Sequence, residues 1–145
     1  MIALIQRVTQ ASVAVNATTV GAIGAGLLAL VAVEPGDGPT EVERMRDRLL
    51  GYRVFDDADG RMNLSLRDTG GGLLLVSQFT LAADTRRGMR PSFSSAADPA
   101  FAERRFGELV EQCRLSHPRV ETGRFRTHMQ VALVNDGPVT LLLHT

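Results

Sequence analysis

Gly26-Leu-Leu-Ala-Leu-Val-Ala-Val33, followed by Glu34-Pro35-Gly36-Asp37-Gly38-Pro39, decides the fold. The apolar run is too short to span a bilayer, which needs roughly 20 residues. Bounded by glycine and a Glu-Pro-Gly turn, it predicts a buried strand. Pro39 suits a first helical position. Val42, Met45, Leu49 and Tyr52 then recur on one helical face, so residues Pro39 to Arg53 are predicted as a helix. The order is repeated downstream. Gly70-Gly71-Gly72 opens a second apolar run, Leu73 to Leu81. After a loop from Ala82 to Ala97, Asp98 and Pro99 supply the N-cap and first turn of a helix to about Leu115. Its predicted stripe is Phe101, Phe106, Leu109, Val110 and Cys113.

The two ends of the chain read as strands: Ile2 to Val8, Ser12 to Val15, Val120 to Phe125, Met129 to Val134 and Val139 to His144. Two strand-helix units framed by strands predict an α/β chain of α+β-like character. The expectation is a β-rich domain with two packed sheets or a barrel-like sheet, two main helices on one side, and three α/β/β layers. At 145 residues a single domain over 1–145 is expected.

Composition narrows the function. Formal net charge is zero, which argues against a general nucleic-acid coat and leaves room for a local basic patch. All basic residues other than histidine are arginine, so a lysine nucleophile or Schiff base is excluded. One cysteine, Cys113, excludes an internal disulfide and fits a reducing compartment. MIALIQRV lacks a basic segment before a long apolar core, so no secretory leader is expected and the cytoplasm is the expected location.

Familiar chemical motifs are missing. His117, His128 and His144 are scattered, with no HExxH and no cysteine pair, so no metal is expected. Asp56-Asp57-Ala58-Asp59-Gly60 reads as a turn, since its carboxylate spacing does not match an EF-hand. GAIGAG, Gly21 to Gly26, lacks the Lys-Ser/Thr of a phosphate loop and reads as hairpin glycines. No cofactor is expected.

Some polar residues sit oddly among apolar neighbours. Gln78 lies within Val76-Ser77-Gln78-Phe79-Thr80-Leu81, either as a satisfied sheet polar group or as part of a site. Ser77 and Thr80 have no histidine nearby in sequence and no nucleophile elbow. Arg7 lies in the first strand, either snorkelling or holding a carbonyl or phosphate with its fork of donors. Arg86-Arg87-Gly88-Met89-Arg90 is the densest basic cluster, a solvated loop or a phosphate contact. Asn135-Asp136-Gly137-Pro138-Val139-Thr140 has strong turn formers between apolar runs. The proline after glycine makes it an unusual hairpin turn.

Taken together, these stretches resemble the D-aminoacyl-tRNA deacylases of the bacterial and eukaryotic type. The resemblance is carried by IQRVTQASVAV, GLLALVAVEPGD, FDDADGRMNLSL, LLLVSQFTLAADTRRGMRPSF, VETGRF and MQVALVNDGPVT, from Ile5 to Thr140. SQFTL paired with NDGPVT is its specific part. The resemblance implies hydrolysis of the ester of D-aminoacyl-tRNA, and of glycyl-tRNA mischarged on tRNA-Ala, by a homodimer with sites at the interface. It implies that Ser77, Gln78, Phe79 and Thr80 line the catalytic site and that Met129 helps form the pocket. It further implies that Gly137-Pro138 carries a cis peptide, enters the partner subunit's pocket and rejects L substrates, with Arg7 bracing it. Arg86, Arg87 and Arg90 are the expected tRNA contacts. The partner is thus the 3′-terminal adenosine ester of tRNA, with no membrane and no DNA.

The chain departs from the family after Phe125, where Arg126-Thr127 replaces the usual Gly-Ala. Two other functions compete: a non-catalytic tRNA-binding module on the same fold, and a general ester hydrolase using Thr80 or Ser77.

Overall fold

An unbroken apolar strand needs two apolar partners, because successive side chains point to opposite faces. The computed structural model, which describes residues 1–94 and 96–145, meets that need with two cores. Strand β3, Gly26–Ala32, and strand β6, Gly72–Ser77, run parallel at the centre of the main sheet. Leu27, Ala29, Val31, Leu73 and Leu75 enter one core, whereas Leu28, Leu74 and Val76 enter the other. Parallel pairing requires a crossover, and helix α1, Pro39–Gly51, provides it. Helix α3, Pro99–Ser116, makes the next crossover to strand β7, Val120–Thr122, which is parallel to β6.

Both helices cover the first core. Val42, Met45, Leu49 and Leu50 of α1 meet Phe106, Leu109, Val110 and Cys113 of α3 there. Leu49 is fully buried, and truncating such a side chain to alanine costs about 2–5 kcal/mol. Tyr52, expected on this face, lies past the helix end and is partly exposed; Leu50 takes its place. Asp98 caps α3 by accepting from the N–H groups of Ala100 and Phe101 at 3.0 and 3.1 Å.

The second core fills a curl of the sheet. Strand β1, Ile2–Val15, pairs with β3 through its first half and with strand β2, Thr18–Ile23, through its second. The two strands expected at the N-terminus are therefore one, and the glycine-rich stretch around Gly21 contributes a strand as well as turns. Curling brings β2 against β7, so that a Cβ on Gly21 would lie 2.5 Å from the carbonyl oxygen of Thr122. Only glycine allows that approach. The result is a nearly closed, barrel-like sheet of β2-β1-β3-β6-β7. A two-stranded sheet of β4, Phe55–Asp56, and β5, Met62–Leu64, and a short helix α2, Leu66–Thr69, complete the described elements.

Strand β8, Gln130–His144, runs antiparallel along the outer side of β1 for nearly its whole length. It replaces the two terminal strands expected from sequence. NDGPVT does not reverse the chain: Val8 pairs with Asn135 and Gln6 with Thr140, leaving residues 136–139 bulged out opposite Arg7. A bulge of this kind interrupts the ladder while the strand continues.

Candidate active site

The SQFTL segment leaves the sheet after Ser77. The expected strand to Leu81 is broken at Gln78, and residues Phe79–Ala82 form a 3-10 turn. Gln78 stays tied to the sheet through its N–H, which donates to the Val31 carbonyl at 2.7 Å. The turn changes which side chains meet. Alternation along a strand would set Gln78 and Thr80 side by side on one face, but here the Gln78 amide donates directly to the Thr80 hydroxyl.

The N–H groups of Leu81 and Ala83 are taken by the carbonyls of Gln78 and Thr80. Those of Phe79 and Thr80 head the turn, where no intrahelical acceptor exists. Among the described residues neither has a hydrogen-bond partner. Thr80 and Phe79 are exposed, while Ser77 and Gln78 are half-buried. Two adjacent free N–H groups at an accessible chain reversal can hold an anionic oxygen.

The following loop folds back over this segment. Asp84 and Ser92 exchange backbone hydrogen bonds at 2.9 and 3.0 Å. The Phe93 ring then reaches Phe79, with centroids 5.1 Å apart and planes tilted by 54°. Phe93 escapes sequence reading because its partner is fourteen residues away and in no periodic relation. Arg86, Arg87 and Arg90 lie exposed on this loop. Arg86 is committed to Asp84 through two side-chain bonds, Nε–Oδ1 at 2.9 Å and Nη2–Oδ2 at 2.8 Å. That guanidinium, with the Arg86 N–H, holds the Asp84 carboxyl well below the usual carboxylate range. Arg87 and Arg90 have no acidic partner among the described residues.

Met129 packs against the second core beside Val76, one residue before Ser77. A Cβ on Gly123 would fall 2.6 Å from the Met129 sulfur and 3.7 Å from Val76. Met129 thus belongs with the Ser77–Thr80 end of the sheet.

The bulge of β8 forms a separate group. The Gly137-Pro138 peptide is cis, and both residues are exposed. Asn135 clips the neck of the bulge: its Oδ1 accepts from the Val139 N–H at 2.9 Å, and its Nδ2 donates to Thr140 Oγ1 at 2.8 Å. Sequence reading takes Asn135 as a turn former and misses this. Arg7 is buried beneath the bulge. It donates from Nε to the Asp136 carbonyl at 3.0 Å and from Nη1 to the Val54 carbonyl at 2.8 Å. Its fork also lies 3.4 Å from carboxylate oxygens of Asp56 and Asp136. Arg7 therefore holds backbone carbonyls and is not a snorkelling arginine.

The two groups do not meet within one chain. Arg7 pairs with Leu27, four residues from Val31, which pairs with Ser77. That separation is about 13 Å along the strands, and β8 to β6 adds about 14 Å across them. Among the described residues, no three histidine, cysteine, aspartate or glutamate side chains gather in a metal-binding group. The Asp57 carboxylate is occupied by the N–H groups of Asp59 and Arg61 and by the Asn63 amide.

Comparison with known proteins bears on the family of the chain. The family model described as D-Tyr-tRNA(Tyr) deacylase matches residues 4–144. A D-aminoacyl-tRNA deacylase of Methylococcus capsulatus is 68% identical over 143 residues, 99% of this chain and 94% of that protein. One of Stenotrophomonas maltophilia is 68% identical over 144 residues, 99% of both chains. One of Teredinibacter turnerae is 61% identical over 142 residues, 98% of both. Among solved structures, a c-Myc DNA unwinding element binding protein superposes with a TM-score of 0.95 at 37% identity, covering 100% of this chain and 99% of the other. A probable eukaryotic D-amino acid tRNA deacylase superposes at 0.86 and 16% identity, covering 99% and 98%, which speaks for the fold alone. With a match from residue 4 to residue 144 and relatives this similar over nearly their full lengths, the chain belongs to the D-Tyr-tRNA(Tyr) deacylase family.

Proposed function

We propose that this protein hydrolyses the ester of D-aminoacyl-tRNA and rejects L-aminoacyl-tRNA by means of the Gly137-Pro138 bulge. The observation that carries the proposal is the bulge itself. Arg7 and Asn135 hold it from below and at the neck, and it offers exposed backbone where most protrusions offer side chains. A chirality filter must refuse one substituent direction at Cα and accept any side chain in the other. Side-chain contacts would also select side-chain identity, whereas a fixed backbone wall refuses by exclusion alone.

The separation between the bulge and Ser77–Thr80 supports a filter acting on a second copy of the chain. Strand β8 pairs only with β1, so its other edge is open among the described residues. Val134, Leu141 and Leu142 are partly exposed on that strand. An open edge with apolar side chains is a surface on which a second copy can seat.

At the site, water attacks the ester carbonyl carbon. The bond from that carbon to the ribose oxygen breaks, giving a free amino acid and a tRNA that regains its terminal hydroxyl. The N–H groups of Phe79 and Thr80 receive the oxyanion. Gln78 orients the Thr80 side chain, and Ser77 and Met129 shape the wall. The neighbouring ribose 2′-OH assists the water, which makes the reaction specific to RNA ends. Arg87 and Arg90, without acidic partners among the described residues, contact the tRNA backbone, with Arg86 held beside them by Asp84. The reaction uses no cofactor and belongs in the cytoplasm, where tRNA is charged.

The test is deacylation of matched D-tyrosyl- and L-tyrosyl-tRNA at substoichiometric protein. Release from the D form alone is expected. Release from both overturns the filter, and release from neither leaves a tRNA-binding module. The likeness to a protein described as binding a DNA unwinding element gives a second reading, DNA binding. Tight binding of duplex DNA without ester turnover would favour it.

A further inference from the structure

Residues 123–129, between β7 and β8, carry three exposed basic side chains, Arg124, Arg126 and His128. The turn is firmly held. Phe125 turns inward, its ring centroid 6.3 Å from that of Phe106. Thr127 Oγ1 donates to the Arg124 carbonyl at 3.0 Å, and the Arg124 N–H points at the Met129 sulfur at 3.3 Å. Among the described residues, none of the three basic groups is in an ion pair.

Its position matters. β6 and β7 are parallel with Leu75 opposite Thr122, and the Gly123 N–H donates to the Leu75 carbonyl at 3.0 Å. Arg124 therefore lies two residues past the last pair of the ladder, as Ser77 does on β6, so the turn leaves β7 at the end of the sheet where the Ser77–Thr80 segment begins. Ligands of parallel strands bind beyond their carboxyl ends. The chain as a whole has no net charge, so two unpaired arginines at that end, with His128 next to them, are a local concentration of positive charge. One of them stands where arginine is disfavoured. Arg126 has φ 56°, a left-handed conformation that glycine adopts freely and other residues adopt at a cost.

From this geometry we infer that the 123–129 turn is a phosphate-binding element for the tRNA strand entering the site. Arg124 and Arg126 hold consecutive phosphates, with His128 beside them. The inference rests on the deacylase reading above. Guanidinium groups suit phosphate oxygens, and such contacts position a strand without reading its sequence.

The test compares wild-type protein with the Arg124→Gln/Arg126→Gly double variant, using D-tyrosyl-tRNA between 50 and 200 mM salt. KM is expected to rise several-fold with kcat retained. The slope of log(kcat/KM) against log[salt] is expected to become shallower by about 0.7–0.9 for each arginine removed. Arg126→Lys, which keeps the charge, and Arg114→Gln, an exposed arginine in the last turn of α3 paired with Glu111, keep the wild-type slope. A double variant with wild-type KM and slope overturns the inference. So does a fall in kcat at unchanged slope, which would assign the turn to packing around Met129. Titration with uncharged tRNA reads the same slope without ester chemistry. A wild-type protein that binds it with the expected slope yet releases no D-tyrosine defeats the deacylase reading and leaves this one standing.

Discussion

Arg7 and Asp136 are joined by a 3.0 Å hydrogen bond from the guanidinium Nε to the main-chain oxygen, one residue before Gly137. The same side chain reaches Val54 at 2.8 Å, so one buried arginine ties the β8 bulge to the segment after α1. Lysine cannot span both carbonyls in the same plane. Arg7→Lys is expected to lose one charge-assisted bond, about 1.5–3 kcal/mol, visible as a lower Tm. With the bulge loosened, the ratio of D- to L-tyrosyl-tRNA deacylation should fall at least about tenfold, the equivalent of 1.4 kcal/mol of discrimination. A lower Tm at an unchanged ratio would confine Arg7 to stability.

Arg126 illustrates a backbone preference overridden. Its φ of 56° lies in the left-handed region that glycine adopts freely and arginine does not. Arg126→Gly is expected to stabilise the protein by about 1 kcal/mol. For a chain of this size that is a rise in Tm of about 2–4 °C, measurable by calorimetry. An unchanged or lower Tm would mean that contacts of the arginine side chain outweigh the backbone term.

Thr80 offers a hydroxyl to the site, but its backbone N–H is the group assigned to the oxyanion. Thr80→Ala keeps that N–H and removes only the bond from Gln78. Single-turnover rates on D-tyrosyl-tRNA should fall by no more than about tenfold, the scale of one neutral hydrogen bond. Complete loss in a folded variant, or an acyl group trapped on Thr80, would make it the nucleophile.

Exclusion by a backbone wall has a consequence for the smallest substrate. Glycine has no side chain to refuse, so glycyl-tRNA should be cleaved alongside D-tyrosyl-tRNA. Inertness toward glycyl-tRNA, with the D substrate turned over, would require a pocket that grips a D side chain.

Cys113 is buried between α1 and α3, and burial pushes its thiol up to about 12. The folded thiol should resist maleimide at pH 8 and react only on unfolding. The neutral thiol is the form that folding favours. Its contribution to stability is therefore complete below the ordinary thiol value near 9 and is lost as pH rises toward 12. Rapid labelling of native protein at pH 8, followed by mass spectrometry, would show an accessible thiol instead.

Much of the architecture follows from local pattern. Residues 26–33 and the run from Leu73 read as buried strands because their side chains are continuously apolar, and two cores divide those side chains between the faces of the sheet. The helices are legible from Pro39, Asp98 and their apolar stripes. Where local pattern misleads, a long-range partner is the reason. NDGPVT has the composition of a reversal, yet β1 supplies hydrogen-bonding partners on both sides of it, so the strand continues and only residues 136–139 bulge. SQFTL has the pattern of a strand, yet Gln78 is where the chain turns away, after its N–H bonds to Val31.

The sequence by itself determined the two strand-helix units, the stripes that bury them and, through SQFTL and NDGPVT, the family. Those features depend on neighbours a few residues away, where spacing along the chain and spacing in the fold coincide. The tertiary structure alone decided that Arg7 lies under Asp136, that Asn135 clips the bulge, and that Phe93 covers Phe79. It also decided that the turn after β7 leaves the sheet at the end where β6 gives way to the Ser77–Thr80 segment, and that Gly137-Pro138 stands a sheet's width from that segment of its own chain. Each of these joins residues distant in sequence, and their approach is fixed by strand register and sheet curl, which no local pattern encodes.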